Sequence, residues 1–229
     1  MIVLDTDDIK VSFNNKKVKI TIVNFNKYKN FWKTTIKNIK NVSQEKNANM
    51  DTVLSFKAGK CHTLKELLKI KSNNLSYRHA EYLFTIIGEQ LKNLEKDNYS
   101  LFELDLDDII IVVYGDGWAN VSLLYLNTDK FKKIDEKGNI VINKPFKKTN
   151  NFLSPEVKSI GEIPAVFNKN CWIYSVGYMI SYCLNNDVLN TNSKDDIGEL
   201  LKELDTTKLY YAVMRCLEFE PNKRYYLYI

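Results

Sequence analysis

The sequence predicts an α+β fold in which a small, mostly β layer precedes a larger, mainly helical one. Three observations predict it. Roughly the first sixty residues carry the period-two alternation of strands, interrupted by one helical stretch. From Cys61 onward, apolar residues recur at helical spacing over several long runs. A pair of β-rich segments, "IIIVVY" and "VSLLYL", lies in the middle of that helical half.

The first element is a β-hairpin. "IKVSFNNKKVKITIVNF" alternates on both sides of "NNKK", giving strands Ile9 to Phe13 and Val18 to Val23. "YKNFWKTTIKNIKNV" then places Phe31, Ile36 and Ile39, with Trp32 beside them, on one side of a helix. "DTVLSFKAG" reads as another short strand. This β-β-α-β layer, residues 1–60, is too small to stand alone.

Residues 61–229 form the second part. In "HTLKELLKIK", Thr63 is an N-cap with Glu66 three residues on, a capping box. "LSYRHAEYLFTIIGEQLKNLEK" is a long helix capped by Ser76, with Ala80, Leu83, Phe84, Ile87, Leu91 and Leu94 along one face. The two central strands are separated by "GDGWAN", which is turn chemistry and needs no ligand. Between Asn127 and Asn151 the composition turns polar and basic, a loop with one short strand at Ile140 to Ile142. "NCWIYSVGYMISYCL" is apolar on every side, so the helix it forms is buried. "DIGELLKEL" and "TKLYYAVMRCLE" are two further helices.

Bulk properties exclude several function classes. No apolar run reaches the roughly 18 residues that a membrane span needs. "MIVLDTDDIK" lacks the basic start and apolar stretch of a signal peptide. The expectation is a soluble cytoplasmic protein with no membrane partner. The net charge of +5 does not point to nucleic acid, because lysines are spread evenly and acidic residues nearly match them. The 30 Lys, 3 Arg, 26 Asn and 21 Ile are what an AT-rich coding sequence produces. Of the four cysteines, Cys61, Cys171, Cys183 and Cys216, no two form a C-x-x-C pair. His62 and His79 lie far from most of them, so no zinc site is expected and buried free thiols are.

Three pieces in order carry a family resemblance: "FLSPEV", then "CWIYSVGYMISYCL", then "RCLEFEPNKRYYLYI". They resemble the C-lobe of a protein kinase. Ser154, Pro155 and Glu156 resemble the Ala-Pro-Glu that closes the activation segment. Tyr174 to Gly177 resembles the Trp-Ser-x-Gly of the large central helix, and "CLEFEPNKR" the late pattern of Leu, acidic residue, Pro and Arg. The resemblance covers most of Lys60 to Arg224. It implies a two-lobed, protein kinase-like fold with a reduced N-lobe (1–60) and a mainly helical C-lobe (61–229). It also implies an ion pair between Glu156 and Arg224. "LFELDLDDIIIVV" and "FLSPEVKSIGEIP" further resemble divergent kinase-like proteins of large DNA viruses, which would put the chain in the host cytoplasm, a virus factory or a virion.

The same alignment finds the chemistry missing. Phosphoryl transfer needs cradled phosphates, metal ligands and a base. The first glycine is Gly59, so no Gly-rich phosphate loop precedes it. "VKITI" puts Thr21 where the strand lysine belongs, and the following helix contains no glutamate to pair with it. The catalytic His-Arg-Asp positions fall on Leu101, Phe102 and Glu103. The metal-binding Asn position falls on Asp108, and Asn127 stands at the main metal-binding Asp. Trp172 replaces the Asp that braces the catalytic loop. The resemblance therefore implies a pseudokinase, a scaffold or regulator that binds another protein, with no cofactor and no bound metal. One rival is an active phosphotransferase in which Glu103, Asp105, Asp107 and Asp108 hold Mg²⁺ and supply a base. Another is a structural or virion-associated protein that reuses a kinase C-lobe.

Overall fold

Alternating apolar residues near the N-terminus build a five-stranded antiparallel sheet of order β1-β2-β3-β5-β4. Its strands are β1 (Ile2–Asp5), β2 (Ile9–Asn14), β3 (Lys17–Ile22), β4 (Ser43–Lys46) and β5 (Thr52–Lys57). The computed structural model describes residues 2–70, 74–191 and 193–229. The β2–β3 hairpin turns on Asn15 (φ 49°) and Lys16 (φ 61°). Two left-handed residues in succession match the twist of a two-residue hairpin. Ile9, Val11, Val18, Ile20, Ile22, Leu54 and Phe56 are buried on one side of this sheet. β4 is a polar edge strand, exposed along its whole length.

Helix α1 (Lys29–Lys37) buries Phe31, Trp32 and Thr35. Ile39, expected on its face, is buried just beyond the helix end, so the helix is one turn shorter than its periodicity suggests. Nothing acidic lies in its first turn, and its own N-cap residue, Tyr28, makes no side-chain cap. The cap comes from a distant residue. The Asp97 carboxylate accepts from the Asn30 N–H (3.1 Å) and the Phe31 N–H (2.9 Å), which satisfies two orphan donors and sets a negative charge on the positive end of the helix.

The strand β6 (Lys60–Thr63) was not expected. It joins β8 (Ile109–Val113) and β9 (Val121–Tyr125) as the outer member of a three-stranded antiparallel sheet. Helix α2 (Leu64–Ile70) follows with its capping box intact. The Thr63 N–H donates to Glu66 (2.9 Å), and the Glu66 N–H donates to the Thr63 hydroxyl (3.2 Å). Helix α3 (Tyr77–Glu95) buries all six residues of its expected face, together with Gly88 and Gln90. Ser76 precedes it, but its side chain makes no cap bond.

After α3 come β7 (Tyr99–Leu101), paired with β10 (Phe131–Lys133), and β11 (Asn139–Ile142), paired with β12 (Ala165–Asn168). Between β11 and β12 lies α4 (Pro155–Lys158), one turn long with proline at its start. Helix α5 (Cys171–Leu184) is buried on every side except at Tyr182 and Leu184. Helices α6 (Lys194–Leu200) and α7 (Lys208–Cys216) complete the mixed α+β chain. One apolar core runs from Ile9 to Tyr226 and joins residues on both sides of position 60. A second, smaller cluster gathers Phe102, Ile140, Ile142, Leu153, Val157, Phe167 and Cys171. Among the described residues no helix is long and apolar enough to cross a membrane.

Two predictions follow from these contacts. Asp97→Ala should lower stability by about 0.5–2 kcal/mol, the usual cost of losing an N-cap, read from urea unfolding. Gly177 lies where α5 meets α7, and a Cβ there would stand 2.5 Å from the Cys216 Cβ and 3.4 Å from the Val213 carbonyl. Gly177→Ala should therefore force the two helices apart, costing roughly 1–3 kcal/mol in the same measurement.

Candidate functional site

The "LFELDLDD" segment links β7 to β8, and its carboxylates go to different places. Asp105 and Asp108 form a reciprocal cap around the short 3-10 turn Leu106–Asp108: Asp105 accepts from the Asp107 N–H, and Asp108 accepts from the Asp105 N–H. Asp107 turns outward and pairs with Lys65 (2.7 Å). Glu103 and Asp108 turn inward and are buried.

A buried charge needs a partner, and the partner here is Lys130. Its ammonium lies 2.7 Å from Asp108 and 3.6 Å from Glu103. The remaining carboxylate valences are filled by amides. Asn127 donates to Asp108 (2.8 Å), and Asn150 donates to Glu103 (3.1 Å) and to the Leu104 carbonyl (2.8 Å). Asn127 also accepts from the Asp129 N–H, capping the 3-10 turn Thr128–Lys130 that presents the lysine. Burial pushes the Asp108 carboxyl up, and Lys130 and Asn127 pull against it. Burial opposes the Lys130 charge, but the Asp108 and then the Glu103 carboxylates outweigh it, so this amine titrates above its ordinary 10.5. The Tyr125 hydroxyl is buried nearby without a hydrogen-bond partner. Burial, then the Asp108 and Glu103 charges, push it well above its ordinary value.

The four carboxylates of this loop therefore do not converge. Among the described residues no group of three or more His, Cys, Asp or Glu is placed to hold a metal ion. This corrects the reading in which Glu103, Asp105, Asp107 and Asp108 gather around Mg²⁺. Sequence reasoning passed over Lys130. The signal available was a single lysine three residues after Asn127, in a stretch where lysine is abundant.

No protein-family model matches the chain, and no curated protein matches it.

A second charged centre lies beside α5, against Tyr174. Glu156, in α4, and Arg224 form a bidentate pair, with Nη1 2.6 Å and Nη2 2.8 Å from the two carboxylate oxygens. Arg224 is 1% exposed. Its Nε donates to the Glu218 carbonyl (2.7 Å), Nη2 also donates to the Phe219 carbonyl (2.7 Å), and the guanidinium lies 5.1 Å from the Tyr174 ring centre. The planar fork of arginine suits two parallel bonds to a carboxylate, which lysine cannot make. Ser154 caps α4 through its backbone carbonyl; its hydroxyl is buried without a partner. Pro155 starts that turn.

Trp172 does not face the Leu101–Glu103 segment. Its indole N–H donates to Glu95 at the end of α3 (2.9 Å), and its ring packs against Tyr226. The contact from α5 to the segment is made by the preceding residue: the Cys171 thiol donates to the Leu101 carbonyl (3.3 Å). Burial holds that thiol at about 12, and Cys61, Cys183 and Cys216 are likewise buried and free.

Lys130→Met should leave two buried carboxylates without their cation and cost roughly 3–5 kcal/mol. Adding Glu103→Gln and Asp108→Asn should recover part of that loss. Because the Lys130 pKa is raised, the stability from its charge is complete below 10.5 and is lost as pH rises through the folded value. The wild-type melting temperature should therefore fall more steeply than that of Lys130→Met in strongly alkaline buffer. Arg224→Ala and Glu156→Ala should each be severely destabilising, by about 3–5 kcal/mol for the buried arginine and less for the half-buried glutamate. The double variant should lose less than the sum of the two. Urea unfolding of the four proteins measures this.

Proposed function

We propose that this chain is a protein kinase-like protein without phosphotransfer activity, and that it works by binding another protein. One observation carries the reading: the Lys130 ammonium rests on Asp108 and Glu103, with Asn127 donating to Asp108. By the resemblance, these carboxylates and this amide stand at the base, the metal-binding Asn and the metal-binding Asp. The Asn and Asp positions have exchanged residue types, and one internal cation is shared by the two carboxylates. Carboxylates committed to a fixed lysine are not free to bridge Mg²⁺ to a nucleotide. The absence of glycine before Gly59 supports the same conclusion, since no backbone there can approach phosphates closely.

The Glu156–Arg224 pair supports the kinase-like part of the proposal. Its ends are the positions at which the resemblance places the tether between the activation segment and the C-lobe. On this reading residues 1–60 are a reduced N-lobe and residues 61–229 a C-lobe, and the protein acts in the cytoplasm of a virus-infected cell.

Titration calorimetry with ATP and Mg²⁺ tests the proposal. The expected outcome is no measurable heat of binding and no change in melting temperature. A ligand present at 100 times its dissociation constant would add about 2.7 kcal/mol, which is readily seen. Micromolar affinity for ATP–Mg²⁺, or autophosphorylation lost in Glu103→Gln, would overturn it in favour of an active phosphotransferase.

A further inference from the structure

The corner of the N-terminal sheet holds positive charge that the molecule does not use. Lys17 on β3 and Lys57 on β5 are directly opposite in register. Like charges in that relation repel and destabilise a sheet. Lys16 precedes Lys17 in the hairpin turn, and all three lysines are exposed. Among the described residues none of the three forms an ion pair. They line an open groove of about 720 Å³ with Asn15, Asn41, Ser43, Ser55 and Phe56. No carboxylate lines it.

The groove also runs beside an open sheet edge. Ser43, one of its walls, is the first residue of β4, which ends the order β1-β2-β3-β5-β4. An edge strand offers unpaired backbone N–H and C=O groups to another extended chain. A polypeptide can use that edge; a nucleic acid cannot. The lining has no arginine for base edges, and its one aromatic residue, Phe56, is buried and offers no stacking face.

We infer that this corner is a docking groove for an extended, acidic segment of a partner polypeptide, whose carboxylates lie against Lys16, Lys17 and Lys57 and whose chain continues past Ser43 towards the open edge of β4. The bound carboxylates would relieve the Lys17–Lys57 repulsion, so the unfavourable register in the free protein becomes favourable in the complex. This names a partner class for the binding role proposed above and rests on that role.

The test uses the full chain and a fluorescent ten-residue glutamate-rich peptide, with a DNA duplex and a single-stranded RNA as competitors. The peptide should bind at low salt and weaken as salt rises. Lys57→Glu and Lys17→Glu should each weaken it at least tenfold. Lys137→Glu, in a loop remote in sequence from the groove, should change it less than twofold. Lys57→Glu should also raise the melting temperature, because it turns a repelling pair into an attracting one; lost binding would then not be lost folding. No binding of the peptide, equal loss in Lys137→Glu, or tighter binding of either nucleic acid would overturn the inference. ATP–Mg²⁺ calorimetry on Lys57→Glu keeps the two readings apart, since a nucleotide site would be untouched by this change.

Discussion

The amide of Gln90 is the point on which the layers of this protein meet. It is fully buried in the middle of α3, where an unpaired amide would be costly. Its Nε2 donates to the Leu123 carbonyl (2.9 Å), while its Oε1 accepts from the Tyr125 N–H (3.0 Å) and from the Thr35 hydroxyl (3.3 Å). One side chain thus holds α1, α3 and β9 in a fixed relation. Because hydrogen bonds are directional, the apolar contacts around it are confined to one register. From that register follow the position of Asp97 at the start of α1 and the path of β9 towards Asn127.

The two charged centres solve the same problem in different ways. Each brings ions out of water, and neither is evidence of stability by itself, since well-packed apolar residues often do as well. Arg224 fixes one chain segment against another: a single residue near the C-terminus grips α4, two carbonyls after α7 and the ring of Tyr174. Two residues later Tyr226 continues the attachment. Its ring stacks on Phe84 at 4.9 Å, its hydroxyl donates to the Phe84 and Thr85 carbonyls, and Gly88 leaves the space for it. The Lys130 centre is local. It closes the loop between β7 and β8 on the loop after β9, where two inward carboxylates would otherwise repel.

Long periodic segments were legible in the sequence. The face of α3, the β2–β3 hairpin, the β8 and β9 pair and the Thr63–Glu66 capping box all lie where their residues place them. Their signals are local: period, turn chemistry and a cap three residues from its partner. The short strands were not legible. "SQEK" has no apolar alternation, and "KCHT" and "YSL" are too short to show a period. They are strands because β5, β8 and β10 supply their hydrogen bonds, and those partners lie elsewhere in the chain.

The candidate site divides in the same way. From its residues alone, the chain determined that no glycine precedes Gly59 and that carboxylates cluster between Glu103 and Asp108. It also determined that arginine is rare enough for Arg224 to stand out. Tertiary structure decided where the charges go. Only folding could show that Asp107 turns to Lys65, that Trp172 turns to Glu95 and not to the Leu101 segment, and that Lys130 pairs with both Asp108 and Glu103. Composition and spacing are written along the chain, whereas the partner of a buried charge is chosen by proximity in three dimensions, where the cost of leaving that charge unpaired is set.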